Sequence, residues 1–489
     1  MLHDDVLLKI FDFHVTVDDN DMDEIFEEVK KTRIEGWITL IHVCRRWRNL
    51  VFYSPRRLNL RLVCTPKTPV RDTLDIWPPL PLIIRAGYWP WNDHSVATVD
   101  NTIAALEHND RVCQIDLGRG PTSQLEYIAN SAAMQKPFPE LTRLWLYGLK
   151  VESISFLGGT TTPRLRLLYL DDVPFPAFPK LLLSATHLVH LDLDITPLYI
   201  PPEAMATSLS ALTDLESLCI RFLDLLLNHT LESRRLPPPL TRSILPNLTK
   251  FEFYGPSEYL EVILVRIDSP RLNKMYTIFY REVTFDRPQF FQFISRCPML
   301  RTLEKAQIAI NYEAMIFKSS SQTTDYGDGE IRVEIRSDSS WQLSSLAQAW
   351  TSSSLPPVHT LQDLYIFEDR LYPPYRQGDV ENKLWLDFLR SFVALKNLYL
   401  SEEFVTHFAP ALQELVGGRT TEVLPNLENI FLEGFQSSGP LHEGIEKFVA
   451  ARRLTSHPVA VSLWDEDSKQ EEERQYEDDD RYSKLAIPL

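Results

Sequence analysis

A short unit, L-x-x-L-x-L, returns ten times between residues 139 and 435, often just after a proline, and constrains the fold more than any other feature of the chain. It reads PELTRLWLYGL from 139, PRLRLLYLDDV from 163, HLVHLDLDI from 187, DLESLCIRF from 214 and PNLTKFEFYG from 246. It returns as PRLNKMYTIFY from 270, PMLRTLEKAQI from 298, TLQDLYIFED from 360, ALKNLYLSEEF from 394 and PNLENIFLEGF from 425. The leading leucines are Leu141, Leu165, Leu188, Leu215, Leu248, Leu272, Leu300, Leu361, Leu395 and Leu427, spaced by 24, 23, 27, 33, 24, 28, 61, 34 and 32 residues. The gap of 61 is about two units, and EIRVEIRS at 330–337 alternates like a strand near its middle. RVCQIDLG at 111–118 reads as an opening strand. Helical stretches, such as 122–133 and 384–392, fall between the strands. Strand then helix, repeated, predicts an α/β fold with a parallel sheet and helices on its other side. No unit can bury its leucines alone, so stability is shared along the array.

Most spacings fall in or just above the 20–29-residue window of leucine-rich repeats, and a curved array resembling them is expected over 111–463. Residues 56–110 read as a linker or capping region, in which 57–62 (RLNLRL) alternates like a strand and PPLPLIIR at 78–85 suggests another. Thirty-four prolines against 16 glycines fit many short elements separated by rigid turns.

The formal charge of −17 is unevenly spread. Residues 18–28 hold seven acids and no base, and 465–481 hold ten acids against Lys469, Arg474 and Arg481, so each segment carries −7. An acidic loop at 16–33 and a disordered acidic tail at 464–489 are the expectation, since such blocks are usually solvated. With those removed the chain is near neutral, and no basic domain points to nucleic acid. Cys44, Cys64, Cys113, Cys219 and Cys297 are scattered and form no CxxC, which indicates neither zinc nor a disulfide framework and fits a reducing, intracellular compartment. No apolar run approaches the roughly 18 residues of a membrane span.

The first 55 residues differ in character. Val6, Leu7, Ile10 and Phe11 mark one helix face behind Asp4 and Asp5, and Trp37, Leu40, Ile41, Cys44, Trp47 and Val51 mark a second helix ended by Ser54-Pro55. LHDDVLLKIFDF at 2–13, with LIHVCRRWRNLVFYSPRRLNLRL at 40–62, resembles the F-box of basidiomycete-type F-box proteins that carry divergent leucine-rich repeats. The resemblance implies that Leu2, Val6, Leu7, Ile10, Phe11, Leu40, Val43, Cys44 and Trp47 bind the Skp adaptor of a cullin-RING ubiquitin ligase. The other reading is a helical cap on the array. Arg45, Arg46, Arg48, Arg56, Arg57 and Arg61 read as the polar face of the second helix and its exit.

No P-loop, GxGxxG, HExxH or GxSxG occurs, so neither enzyme chemistry nor a cofactor is expected. His187-x-x-His190-x-Asp192-x-Asp194 places three metal-capable groups on one strand face, a pattern that is more often solvated surface. More informative is the fifth-position column of the repeats: Trp145, Tyr169, Asp192, Cys219, Glu252, Tyr276, Tyr365, Tyr399 and Phe431. Parallel strands about 4.8 Å apart would set these rings as ladders on the concave face. Either they stack for sheet stability, or they join Arg143 and Tyr147 in binding a protein substrate. Together these readings predict a non-catalytic substrate receptor of a ubiquitin ligase, or a repeat scaffold outside one.

Overall fold

The computed structural model describes residues 2–15, 36–86, 96–118, 122–151, 155–160, 162–174, 178–194, 200–222, 242–280, 288–301, 304–310, 314–320, 329–336, 360–368, 382–416, 419, 421–433 and 440–464. The expected acidic loop at 16–33 and residues 465–489 of the expected tail lie outside these. The chain divides into two compact units, Met1–Tyr199 and Ile200–Leu489.

The first unit opens with three helices, α1 (Asp4–Val15), α2 (Gly36–Val43) and α3 (Arg45–Tyr53). One helix was expected where α2 and α3 stand. Apolar periodicity runs straight through the break, so the pattern hides it. Cys44 adopts extended backbone (φ −160°, ψ 168°), and its Sγ accepts the Trp47 N–H at 3.5 Å, capping α3. Trp37 ties the helices to the segment after them. Its ring is fully buried edge-on to Phe52 and Trp77, and its Nε1–H donates to the Arg61 carbonyl at 3.0 Å.

Six strands come next: β1 (Leu62–Cys64), β2 (Leu82–Ala86), β3 (Val112–Leu117), β4 (Arg143–Tyr147), β5 (Leu167–Asp171) and β6 (His190–Asp194). They pair in chain order and run parallel. The sheet therefore begins at Leu62, inside the region read as a linker, with helices at Val70–Ile76 and Val96–Leu106 completing its first two units. Of the alternation at 57–62, only Leu62 lies in a strand. Residues 55–59 turn, with Asn59 at φ 46°, and Leu58 and Leu60 are buried for packing. In register, Ile115, Leu144, Leu168 and Leu191 fall in one buried row facing the helices.

The second unit continues with β7 (Ser217–Arg221), β8 (Ser243–Ile244), β9 (Lys250–Gly255), β10 (Ile267–Asp268), β11 (Lys274–Tyr280), β12 (Lys305–Ile310), β13 (Ala314–Ser320), β14 (Glu330–Arg336), β15 (Asp363–Glu368), β16 (Asn397–Leu400), β17 (Asn429–Glu433) and β18 (Ala460–Trp464). Its sheet order is β7-β9-β11-β14-β13-β12-β15-β16-β17-β18, and β8 pairs with β10 alongside. The 61-residue gap is not two regular units. β12, β13 and β14 fill it as a meander in reversed spatial order, and β13 runs antiparallel to both neighbours. Elsewhere the leucine signal holds. Leu215, Leu248, Leu272, Leu300, Leu361 and Leu395 are fully buried, and helices such as Glu402–Gln413 pack on the same side. The described chain is thus an α/β repeat scaffold, leucine-rich-repeat-like, with one antiparallel insertion.

Candidate functional site

Two surfaces collect the residues singled out by the sequence. The first is the three-helix module. Leu7, Phe11 and Leu40 are buried, and the Phe11 and Trp47 rings meet edge-on at 4.8 Å, which leaves Trp47 half-buried. The other members of the expected adaptor set face outward: Leu2, Val6, Ile10, Val43 and Cys44 are exposed. Val6 and Ile10 lie one turn apart on one face of α1, and Leu2 stands just before its first turn. Phe13, at 88 % exposure, extends this apolar surface; its exposure has no signal in the sequence beyond its place in the 2–13 segment.

The basic run beside it is largely committed to holding the module together. Arg46 pairs with Asp4 at 2.5 Å and donates to the Leu2 carbonyl at 2.6 Å, and Arg48 donates to the Ile41 carbonyl at 3.0 Å. Arg57 lies 3.9 Å from Asp5 and 3.8 Å from Asp12. These contacts make a polar face.

The other is the sheet face opposite the helices, in each unit by itself. In the first unit, Asp116, Trp145, Tyr169 and Asp192 stand in one register row. Trp145 and Tyr169 stack, but they are buried instead of open. With Leu167, which the sequence did not flag, they form a small apolar cluster on this face. Two large rings about 4.8 Å apart on neighbouring strands cover each other, and burial follows from that contact. The Tyr169 hydroxyl donates to Asp171 at 2.7 Å. Arg143 is half-buried in the next row, beside Leu167, and Tyr147 is exposed at the strand end. His190 and Asp192 are half-buried and Asp194 is buried, and among the described residues no group of three metal-capable side chains converges.

In the second unit the same column divides into a polar and an aromatic stretch. Glu252 receives Lys250 Nζ at 2.7 Å and the Tyr254 hydroxyl at 3.0 Å, and burial, then the Glu252 charge, pushes the Tyr254 pKa up. Tyr276 donates to Glu330 at 2.6 Å, and the buried Glu334 pairs with Arg336 at 2.5 Å and Arg332 at 3.4 Å. Farther along, Tyr365 and Tyr399 stack at 4.0 Å and Tyr399 and Phe431 at 4.4 Å. Tyr365 is buried, while Tyr399 and Phe431 stay half-exposed. Trp464 leans over the stack, 6.0 Å from Tyr365 and 5.7 Å from Tyr399. Beside the rings runs an amide ladder, in which Asn429 donates to Asn397 at 2.8 Å and Asn397 to Asp363 at 2.6 Å. The signal for that ladder was present in the sequence, as Asp, Asn and Asn at the third position of three successive repeats.

No family model matches the chain, and no curated protein matches it. Among solved structures that match is the leucine-rich repeat-containing protein LegL7 from Legionella pneumophila. It is 13 % identical, with 80 % of this chain and 97 % of that chain covered, at a TM-score of 0.25. The description as leucine-rich-repeat-like therefore rests on this chain's own strands and leucines. No helix among the described residues is long and apolar enough to cross a membrane.

Proposed function

We propose that the chain is a non-catalytic substrate receptor of an SCF-type cullin-RING ubiquitin ligase, docking the Skp adaptor through α1–α3 and a protein substrate through the repeat array. The observation that carries the reading is that Leu2, Val6, Ile10 and Val43 are left exposed on a module whose Leu7, Phe11 and Leu40 are packed. A helical cap serves to cover the end of an array and would turn such side chains inward. Burying one Val or Ile side chain contributes about 1.5–3 kcal/mol, so several together make an adequate docking face. Substrate contacts fall to the open members of each unit's sheet face, Arg143 and Tyr147 in the first and Tyr399 and Phe431 in the second. Trp145, Tyr169 and Tyr365 are buried beside them on the same face.

The test is co-purification of the full chain with the Skp adaptor, repeated with Ile10→Glu and with Trp47→Ala. Binding that is lost in both variants while the fold is kept supports the reading. Adaptor binding that survives both, or is absent in the parent chain, overturns it. One observation favours a scaffold outside a ligase: His3 occupies the place of the motif's usual proline. Its carbonyl starts α1, accepting the N–H groups of Val6 and Leu7 at 3.1 Å. In that case the adaptor fails to bind while the array still captures a protein partner.

A further inference from the structure

The half of the second unit's sheet face between β9 and β12 is basic, in a chain whose formal charge is −17. Register pairing puts Lys250, Lys274, Glu330, Ser320 and Lys305 in one row. The next row holds Glu252, Tyr276, Arg332, Lys318 and Gln307. Five cations against two carboxylates leave the two rows at +3. Lys250 has Glu252 and Arg332 has Glu334, but among the described residues no acid pairs with Lys274, Lys305 or Lys318. Lys274 is exposed, and the other two are half-exposed on the same face.

A segment of opposite charge starts close by. Trp464 ends β18, and residues 465–481 then carry ten acids against three bases, −7. Neighbouring strands are about 4.8 Å apart, so β12 lies roughly 19 Å from β18 and β9 roughly 38 Å, whereas seventeen extended residues span roughly 56 Å. The Trp464 ring lies 5.7 Å from Tyr399 and 6.0 Å from Tyr365, which stand two and three strands back from β18, on the side of the lysines.

We infer that residues 465–481 dock in cis across the lysine stripe of β11, β12 and β13, and that this stripe is an acidic-peptide-binding surface which any external ligand must take from the chain's own tail. The inference is independent of adaptor docking, which concerns a different unit.

The experiment uses the full chain. Zero-length carbodiimide coupling followed by peptide mapping should link Lys274, Lys305 and Lys318 to carboxylates of 465–481. An equal mixture of isotopically light and heavy protein should show those links within single molecules. Raising sodium chloride from 50 to 500 mM should lower their yield about fivefold, as screening shortens the reach of exposed charges. The Lys447–Glu443 pair, 2.8 Å apart, serves as the reaction control. In a second arm, the ten acids of 465–481 are replaced by Asn and Gln in the full chain. Acetylation of the three lysines should then quicken about threefold, with Lys447 unchanged. Links spread evenly over all surface lysines, links between molecules, links to 18–28 instead, or unchanged acetylation would each overturn the inference.

Discussion

Trp145 and Tyr169 face each other across β4 and β5 with ring centroids 4.0 Å apart and planes 27° from parallel, and each residue is 6 % exposed. Rings that cover each other hold the strands together. Trp145→Ala should therefore destabilise the chain by about 3–5 kcal/mol. A double-mutant cycle with Tyr169→Leu in urea denaturation should return a coupling of about 0.5–1.5 kcal/mol. A neutral Trp145→Ala would show that the stack is ornamental to the fold and open to ligands.

Ile10 and Phe11 are adjacent on α1 and should behave oppositely. Ile10 is 46 % exposed, so Ile10→Glu should stay within about 0.5 kcal/mol of the parent, as surface changes usually do. Phe11 is fully buried against Trp47, and Phe11→Ala should cost about 3–5 kcal/mol. Thermal melts of the two variants decide it. Equal losses would mean that both faces of α1 are packed.

Cysteine chemistry gives an independent reading of burial. Cys44 is exposed and the other four are buried, so iodoacetamide at pH 8 should label Cys44 first. Burial pushes the Cys64 thiol up to about 11 and the Cys297 thiol to about 12. A raised pKa in the folded state means that both thiols contribute fully below their ordinary value of 9.0 and lose that contribution as pH climbs through 11 to 12. Melting temperature should accordingly fall between pH 9 and 11, and less steeply in a Cys64→Ala/Cys297→Ala variant. An equal slope in both proteins would assign the fall to other groups.

Arg452 is fully buried on the helix Pro440–Leu454, where its Nη2 donates to the carbonyls of Leu427 at 3.1 Å and Pro425 at 3.3 Å. Burial lowers its pKa. Arg452→Met keeps much of the bulk but strands two carbonyls, each costing about 1–3 kcal/mol. Urea midpoints should show the loss, and a Met variant as stable as the parent would refute the assignment.

The leucine pattern disclosed the repeat series because each leading leucine reports burial directly, as Leu141, Leu165 and Leu188 illustrate, all fully buried. Three features escaped for physical reasons. The break at Cys44 leaves helical periodicity untouched on both sides. β1 was hidden because Leu62–Cys64 is too short to alternate visibly, while Leu58 and Leu60 alternate within a turn; β2 falls where 78–85 suggested a strand. Ring burial was left open between stacking and recognition, because facing direction does not give exposure. Alternation tells which side of a strand Trp145 leaves from, but only the neighbouring strand tells what covers it.

The reversed strand β13 has a consequence for how such an array can change. Adding a single opposed strand would leave every later repeat running backwards, its leucines still paired but its connecting helices on the wrong side. Here β12 and β14 both run with β11 and β15, so the meander restores the polarity it interrupts. β11 and β15 are therefore compatible neighbours already. The meander is a removable cassette, and the chain could gain, lose or exchange it without rebuilding the repeats on either flank.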